Sequence, residues 1–172
     1  MFDSRHLSGS LGLIVLEAAR MAESGSSHEQ IMEALPRLSA AAENLVSVRT
    51  LRYMVLGGRV SPLKGLMARV MNLKPIVSVD KQGKSVLYGK AFSIKANEKK
   101  ILDMAKGYAE RSPLASWAVV HAHAEADARA FARKASAVLG SEPAYMCEIS
   151  SIIAMNSGRG AVSFVCVKGP GA

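Results

Sequence analysis

His121 and His123 stand two residues apart and are followed by the carboxylates of Glu125 and Asp127. Alternate residues of a β-strand share a face, and imidazole and carboxylate groups bind metals, so this group has the chemistry of a metal site. The four residues lie where a predicted strand passes into a helix, however, and acidic side chains in a first helical turn stabilise the helix dipole. No further ligand in register is evident, and we predict no metal.

Two catalytic patterns are incomplete. Gly83-Lys84-Ser85 resembles the end of a phosphate-binding P-loop, but Ser78 stands where that loop needs its first glycine. A P-loop is also followed by a helix, whereas the residues after Ser85 have the composition of a strand. The sequence contains no Gly-x-Ser-x-Gly motif, and neither cysteine has the surroundings of an activated nucleophile. We therefore predict a binding protein, not an enzyme, with no catalytic residues and no cofactor.

The segment Asn156-Ser157-Gly158-Arg159-Gly160 has the composition of an anion-binding loop. Two glycines within three residues let the backbone approach a ligand closely, and free amides in such a loop hold an oxyanion. The Asn and Ser side chains add hydrogen bonds and the Arg adds charge. Composition alone favours an ordinary glycine-rich loop before the last strand, so both interpretations stay open. The same holds for Gly57-Gly58-Arg59, which fits a helix C-cap or a cap that directs Arg59 at an anion.

Positive charge is concentrated in the middle third of the chain. Residues 49–100 contain 12 Lys and Arg against Asp80 and Glu98, while the whole chain has a net charge of +8. This block fits a solvated face, an anionic ligand or an acidic protein partner. Nucleic acid is a weaker alternative, because the block has only three aromatic residues and no nucleic-acid-binding motif. We predict no nucleic-acid partner.

The elements that must position these residues belong to one domain. The chain has 172 residues, of which 49% are hydrophobic and 21% charged, which excludes a disordered or low-complexity protein. No apolar run approaches the roughly 20 residues that span a bilayer, and residues 1–10 have no signal-peptide pattern. We expect a cytoplasmic protein without stable membrane insertion. Cys147 and Cys166 are interpreted as reduced core thiols.

The periodicity of apolar residues predicts an alternation of helices and strands. A hairpin turn is expected at Asp80–Gly83, an N-cap at Ser27, a kink or break at Pro36, and an irregular segment at 150–160. Helices are predicted near 8–24, 28–42, 50–57, 61–71, 97–111 and 125–139, and strands near 44–49, 74–80, 84–92, 116–121, 144–148 and 161–168. This order predicts a layered α/β domain with a mixed, largely antiparallel sheet and flanking helices.

Four stretches occur in one order along nearly the whole chain: Asp3–Glu17, Thr50–Val60, Leu73–Ile76 and Glu148–Val162. The first is similar to an Asp-Ser turn into a Gly-Leu-Gly-Leu helix, the second to Thr-Leu-x-Tyr-Leu-x-x-Gly-Gly-Arg-Ile and the third to Ile-Lys-Pro-Ile. The fourth is in step with Glu-Ile-Gly-Pro-Val-Ile-Gly-Thr-His-Thr-Gly-Pro-Gly-Ala-Val. These motifs belong to the C-terminal half of the DegV family, bacterial fatty-acid-binding proteins, which the chain therefore resembles.

Two departures from the family pattern bear on function. Asn156 and Ser157 replace the family's His-Thr pair, and Arg159 replaces its proline. An asparagine still donates a hydrogen bond to a carboxylate but cannot become cationic. The resemblance also covers only one lobe, because full-length members have an N-terminal lobe that supplies Ser and Thr ligands to the carboxylate. We expect residues 1–172 to form a single C-terminal lobe, with the N-terminal lobe absent from this chain.

The resemblance implies that the protein binds a long-chain fatty acid and presents its carboxylate to an ATP-dependent acyl kinase. The residues that it implies near the headgroup are Arg59, Asn156, Ser157, Gly158 and Gly160. The basic middle third would contact an acidic surface of the kinase. Segments 11–21 and 63–71, with Met54, Met67 and Met71, would form the walls of an apolar tunnel or else belong to an ordinary core.

A second interpretation belongs to another class of function. In it the chain is a non-binding scaffold or regulatory domain of a larger fused kinase-like polypeptide, and the absence of the family histidine reflects lost ligand binding.

An isolated lobe would expose apolar surface where the other lobe normally packs. We therefore expect either self-association, with a homodimer of the lobe as one form, or a collapsed and empty tunnel.

Overall fold

The structure is a computed structural model that describes residues 1–59 and 73–169, in which helices cover both faces of a six-stranded sheet. The helices of this part of the chain are α1 Ser8–Glu23, α2 His28–Ala41, α3 Arg52–Leu56, α4 Ile94–Arg111, α5 Glu125–Leu139 and α6 Ser151–Ser157. The strands are β1 Ala42–Ser47, β2 Lys74–Val79, β3 Ser85–Ala91, β4 Leu114–His121, β5 Met146–Glu148 and β6 Val162–Lys168.

The strands are ordered β3-β2-β1-β6-β4-β5. Every neighbouring pair is antiparallel except β4 and β5, which run parallel. The two central strands, β1 and β6, come from distant parts of the sequence and pair along their whole length. The predicted class, a layered α/β domain with a mixed and largely antiparallel sheet, is confirmed.

One face of the sheet packs against α4 and α5 and forms the larger core. Phe164 of β6 lies at its centre, with its ring centroid 5.8 Å from that of Trp117 and 6.5 Å from that of Phe131. Helices α4 and α5 cover these rings with small residues such as Ala105 and Ala128, both fully buried. Small side chains at these positions let the helices approach the sheet closely, which explains why much of the apolar composition is alanine.

The other face is covered by α1 and α2. Leu13 and Ile14 of α1 pack on Val165 of β6. The start of α1 lies so close to the sheet that a Cβ on Gly9 would be 3.0 Å from methyl groups of Val120 and Val165. This glycine therefore allows the contact between helix and sheet. The rest of this face, beyond the start of α1, carries the cavity described below.

A half-buried tyrosine fixes the start of α1 to the segment that precedes the edge strand β5. The hydroxyl of Tyr145 donates a hydrogen bond of 2.6 Å to the carbonyl of Gly9. Desolvation by burial, with a smaller contribution from Cys147, raises the pKa of Tyr145 to about 12. The hydroxyl therefore stays protonated at neutral pH and remains a donor.

Several local predictions are confirmed. Ser27 caps α2 through a capping box with Gln30, in which each side chain accepts from the other residue's backbone N–H. Residues Asp80–Gly83 form the turn between the antiparallel strands β2 and β3, and Gly83 takes the positive φ of +76° that this turn requires. The predicted helix over 61–71 lies outside the described residues.

Two predictions are wrong and a third is wrong in part. Helix α2 continues through Pro36, so the predicted break does not occur, and Leu35 and Leu38 on either side of the proline pack against the α1 cluster. A kink at Pro36 stays a prediction. The segment 150–160 is not irregular, since α6 occupies most of it: the Ser150 carbonyl accepts from the N–H groups of residues 153 and 154. Of the two thiols only Cys166 is in the core, because Cys147 lies on the short edge strand β5 and is exposed.

Desolvation by burial raises the pKa of Cys166 to about 12, and burial also raises the pKa of Cys147. Both thiols are therefore protonated at neutral pH.

In the part of the chain that the structure describes, no helix combines the length and apolarity that crossing a bilayer demands.

We predict that Phe164→Ala lowers the free energy of unfolding by about 3–5 kcal/mol, because it empties the centre of the larger core. Phe164 is 0% exposed. Denaturant unfolding measures the effect. The matched control is Phe92→Ala, at a side chain that is 66% exposed, which should cost about 0.5 kcal/mol or less. Similar losses for the two variants would contradict this description of the core.

Candidate functional site

Helices α3 and α6 pack side by side at one edge of the cavity, and glycine makes this contact possible. A Cβ on Gly57, just after α3, would collide with the side-chain oxygen of Asn156. A Cβ on Gly158, just after α6, would collide with the ring of Tyr53. Gly158 has φ +79° and ψ 159°, a conformation that other residues rarely adopt. Each helix therefore presents a side chain to a glycine of the other.

Gly160, two residues after Gly158, also allows a close contact that a side chain would block. A Cβ there would collide with the guanidinium of Arg49, which forms an ion pair of 2.7 Å with Asp127. The backbone N–H of Gly160 donates to the carbonyl of Ala122 at 2.8 Å, and the N–H of Ala122 donates to Ala161 at 2.9 Å. These bonds fix the segment between α6 and β6 to the end of β4.

A cavity of about 660 Å³ lies between the α3–α6 pair and the open part of the sheet. Its floor is formed by valines of β1, β2 and β4 and the residue after β1: Val46, Val48, Val77, Val79 and Val120. Its sides are formed by the start of α1, by the β2–β3 turn and by α3 and α6. A concave space of this size with a mainly apolar lining and a few polar groups is typical of a small-molecule site.

The structure brings together three of the five residues that the sequence suggested for ligand binding. Arg59, Asn156 and Ser157 all line the cavity. Gly158 and Gly160 are adjacent to it but are not among its described lining residues, and they contact Tyr53 and Arg49 instead. That all five bind a ligand stays a prediction.

The polar groups at this end of the cavity differ in how far they are already paired. The side chain of Asn156 donates to the carbonyl of Ile152 at 3.1 Å, and the hydroxyl of Ser157 donates to Ile153 at 3.3 Å. The backbone N–H of Arg59 donates to Met54 at 2.9 Å, while its side chain is exposed. Arg59 thus places a permanent positive charge at the rim of an apolar cavity.

The predicted tunnel walls are only partly correct. Met54 is buried and lines the cavity. Segment 11–21 does not line it: Leu13 and Ile14 pack on the sheet as core, and α1 reaches the cavity only through its start, at Leu7 and Ser8. The predicted wall at 63–71, with Met67 and Met71, lies outside the described residues.

Sequence reasoning missed polar residues on the cavity floor and at its side. Asn44 and Ser163 stand on β1 and β6 among apolar neighbours and face the cavity, and Lys84 lines it from the β2–β3 turn. The available signal was a polar residue within a strand that is otherwise buried on both faces. Burial of this kind is informative because an unpaired polar group is costly in a core.

The histidine and carboxylate group has other partners. Asp127 pairs with Arg49, and Glu125 pairs with Arg129 at 2.6 Å. His121 accepts a hydrogen bond of 3.4 Å from the N–H of Ala124 through Nδ1. Within residues 1–59 and 73–169, no three His, Cys, Asp or Glu side chains are arranged to hold a metal ion.

Comparison with known proteins agrees with this architecture. The family model described as "Uncharacterised protein, DegV family" matches residues 1–169. The chain belongs to the DegV family. A DegV domain-containing protein of Clostridium acetobutylicum is 29% identical over 170 residues, which are 98% of this chain and 60% of that protein. The chain thus spans about 60% of the length of the curated DegV relatives that it matches along most of its length.

Two solved DegV-like structures have the same fold. A fatty-acid-binding DegV family protein from Thermus thermophilus superposes with a TM-score of 0.84 at 25% identity, over 97% of this chain and 60% of that one. A stearic-acid-binding protein from Eubacterium ventriosum has a TM-score of 0.87 at 21% identity, over 97% of this chain and 58% of that one. The second likeness concerns the fold only.

We predict that Gly158→Ala lowers the free energy of unfolding by more than about 2 kcal/mol, because it combines a strained backbone with a collision against the Tyr53 ring. Gly25→Ala is the matched control, since Gly25 also has a positive φ, of +84°, but no atom within 4 Å of the added Cβ. The control should cost only about 1 kcal/mol. Equal costs in denaturant unfolding would show that α3 and α6 do not pack as described.

Proposed function

We propose that this chain binds a long-chain fatty acid in the cavity, with the carboxylate near Arg59 and the α3–α6 pair. The observation that supports the proposal most strongly is the combination of a valine-lined cavity of about 660 Å³ with an arginine at its rim. An acyl chain needs apolar walls, and its headgroup needs a cation and hydrogen-bond donors. Both requirements are met within one concave space.

The apolar floor accounts for the affinity. Each methylene that leaves water for an apolar surface contributes about 0.8 kcal/mol, so a chain of 16 carbons gains on the order of 10 kcal/mol before the entropic cost of binding. The carboxylate headgroup loses water on binding, so polar protein groups must replace the hydrogen bonds that it made to water. Arg59 and the α6 side chains are the groups that we assign to it.

The family supports the same class of ligand. The Thermus thermophilus relative is a fatty-acid-binding protein, and the Eubacterium ventriosum one binds stearic acid. Because this chain spans only part of the length of such proteins, its ligand is our proposal. We further propose binding without chemistry, since the cavity-lining residues that the structure describes include no paired nucleophile and base.

We also propose that the bound carboxylate is presented to an ATP-dependent acyl kinase. Arg59 supports this role because it lies at once on the cavity lining and on the exposed surface. The exposed basic residues of the middle third include Arg52, which is near Arg59 in sequence, and Lys81 and Lys84 of the β2–β3 turn, which lies beside Arg5. They would meet an acidic surface on the kinase. The cytoplasmic location and the homodimer stay predictions.

Hexadecanoic acid should bind the chain, and Val46→Phe should weaken binding at least about tenfold, because the added ring occupies the centre of the cavity. Native mass spectrometry and titration calorimetry measure the effect. The control is Val138→Phe, on α5 at a side chain that is 41% exposed and does not line the cavity. A protein that stays empty with excess acid would contradict the proposal and favour the scaffold interpretation.

Arg59→Ala should impair transfer of the acyl group to or from the kinase more than it impairs binding. We expect the rate of transfer to fall about tenfold and the affinity for the fatty acid to change by less than about threefold. Burial of the acyl tail dominates that affinity, whereas a surface charge affects how fast the chain associates with the kinase. Arg133→Ala, at an exposed arginine of α5 that is away from the cavity lining and outside the basic middle third, is the matched control. Transfer rates that are equal for Arg59→Ala and the parent would end this assignment.

A further inference from the structure

The cavity floor contains two polar side chains that an unmodified hydrocarbon chain does not need. Asn44 is 3% exposed and Ser163 is 5% exposed, and both line the cavity. The hydroxyl of Ser163 donates to Oδ1 of Asn44 at 2.6 Å and also approaches the carbonyl of Leu45 at 3.3 Å. This pairing satisfies the amide oxygen of Asn44. Among the described residues, none accepts a hydrogen bond from either N–H of its Nδ2.

A second set of donors lies at the start of α1. Leu7, at the N-cap position, has no side-chain hydrogen bond to the helix, and the first turn has no acidic residue. Gly9 and Ser10 are buried, so water does not readily replace the missing cap. The first backbone N–H groups of a helix lack partners inside it and carry a partial positive charge.

The sheet register places these two sets of donors together. The Cα of Gly9 lies over Val120 and Val165. Val165 is the partner of Asn44 across the β1–β6 pair, and Val120 is the partner of Ser163 across the β4–β6 pair. Leu7 and Ser8 line the same cavity as the two polar side chains. We call Asn44, Ser163 and the start of α1 the inner polar site.

The inner polar site is distant from the end that we assign to the carboxylate. Asn44 of β1 precedes Val48, the residue after β1, by four residues, which is about 13 Å in extended chain. Val48 packs with Met54, whose carbonyl holds the backbone of Arg59. A ligand oxygen at the inner polar site is therefore a different one from an oxygen at Arg59.

We infer that the inner polar site binds an oxygen on the acyl chain itself, so that the cavity selects long-chain fatty acids that carry a hydroxyl group along the chain. The inference rests on the proposed function and adds the substrate class. A hydroxyl accepts from the Asn44 amide or from the start of α1, and this removes the cost of burying donors beside a methylene chain. An unsubstituted acid leaves those donors unpaired.

The experiment measures the affinity of the 172-residue chain for hexadecanoic acid and for a series of hydroxyhexadecanoic acids that differ in the position of the hydroxyl. We expect one position, or two adjacent ones, to bind about tenfold more tightly than the unsubstituted acid. Hydroxyls elsewhere should weaken binding, because they are buried without a partner. A series in which no hydroxy acid binds more tightly overturns the inference.

Asn44→Leu tests the assignment to residues, since leucine has nearly the same size and offers no donor. The variant should abolish the gain from the favoured hydroxyl while binding the unsubstituted acid no more weakly than the parent. Val46→Ala, two residues along the same strand, should change both affinities by one factor and keep their ratio. If Asn44→Leu instead weakens both acids equally, the site holds the carboxylate and the inference is wrong.

The outcomes separate this inference from the function on which it rests. Binding of hexadecanoic acid without a preferred hydroxyl position overturns only the inner polar site. Absence of binding by every acid overturns both. Should Asn44→Leu fail to fold, the positional series on the parent chain decides alone, because an apolar floor would disfavour a hydroxyl at every position.

Discussion

The contact between α3 and α6 shapes the charged rim of the cavity. The two helices lie close together because the glycine that follows each one has no side chain. Asn156 packs against Gly57, and the ring of Tyr53 packs against Gly158. Both helices are short, with five and seven residues, and helices of that length have little stability of their own. Their position therefore depends on packing against each other and against the sheet. Arg59, which follows α3, and the polar side chains of α6 meet only because of this contact.

The remainder of the fold supplies a rigid base for that contact. One face of the sheet is filled by aromatic and alanine packing, and on the other α1 and α2 are the helices that, within residues 1–59 and 73–169, pack over part of its area. Binding sites are commonly built from loops and short helices on such a scaffold, which keeps its shape while the rim varies. In this chain the valines of the floor belong to the scaffold, whereas the polar rim belongs to segments that glycines shape.

Regular elements with a strong pattern were predictable from the sequence, and so was the class of the sheet. The alternating strands, the capping box at Ser27 and the turn ending at Gly83 are encoded locally, so their signals survive in a single sequence. Helix α6 was not predictable from periodicity, because its seven residues are too few for a clear apolar stripe. The unbroken course of α2 through Pro36 depends on tertiary packing that no local rule contains.

The site was predictable in part, for a similar reason. Arg59 and the segment that begins at Asn156 have motif-like compositions, and the structure shows that they line one cavity. The roles of Gly158 and Gly160 as points of close approach depend on Tyr53 and Arg49, which are distant in sequence. The polar residues of the floor become conspicuous only once the sheet shows which strand face is open. Long-range placement is the information that composition and spacing lack.

The pairing of β1 with β6 has a consequence for how the cavity forms during folding. The hydrogen bond between Ser163 and Asn44 joins residues 119 positions apart, so the middle of the sheet closes a very long loop. Contacts of such separation form late and make folding slow, because the entropy of the intervening chain is lost first. A nascent or partly unfolded chain would have its outer hairpin and helices but no cavity floor. The cavity is therefore an all-or-none property of the completed sheet.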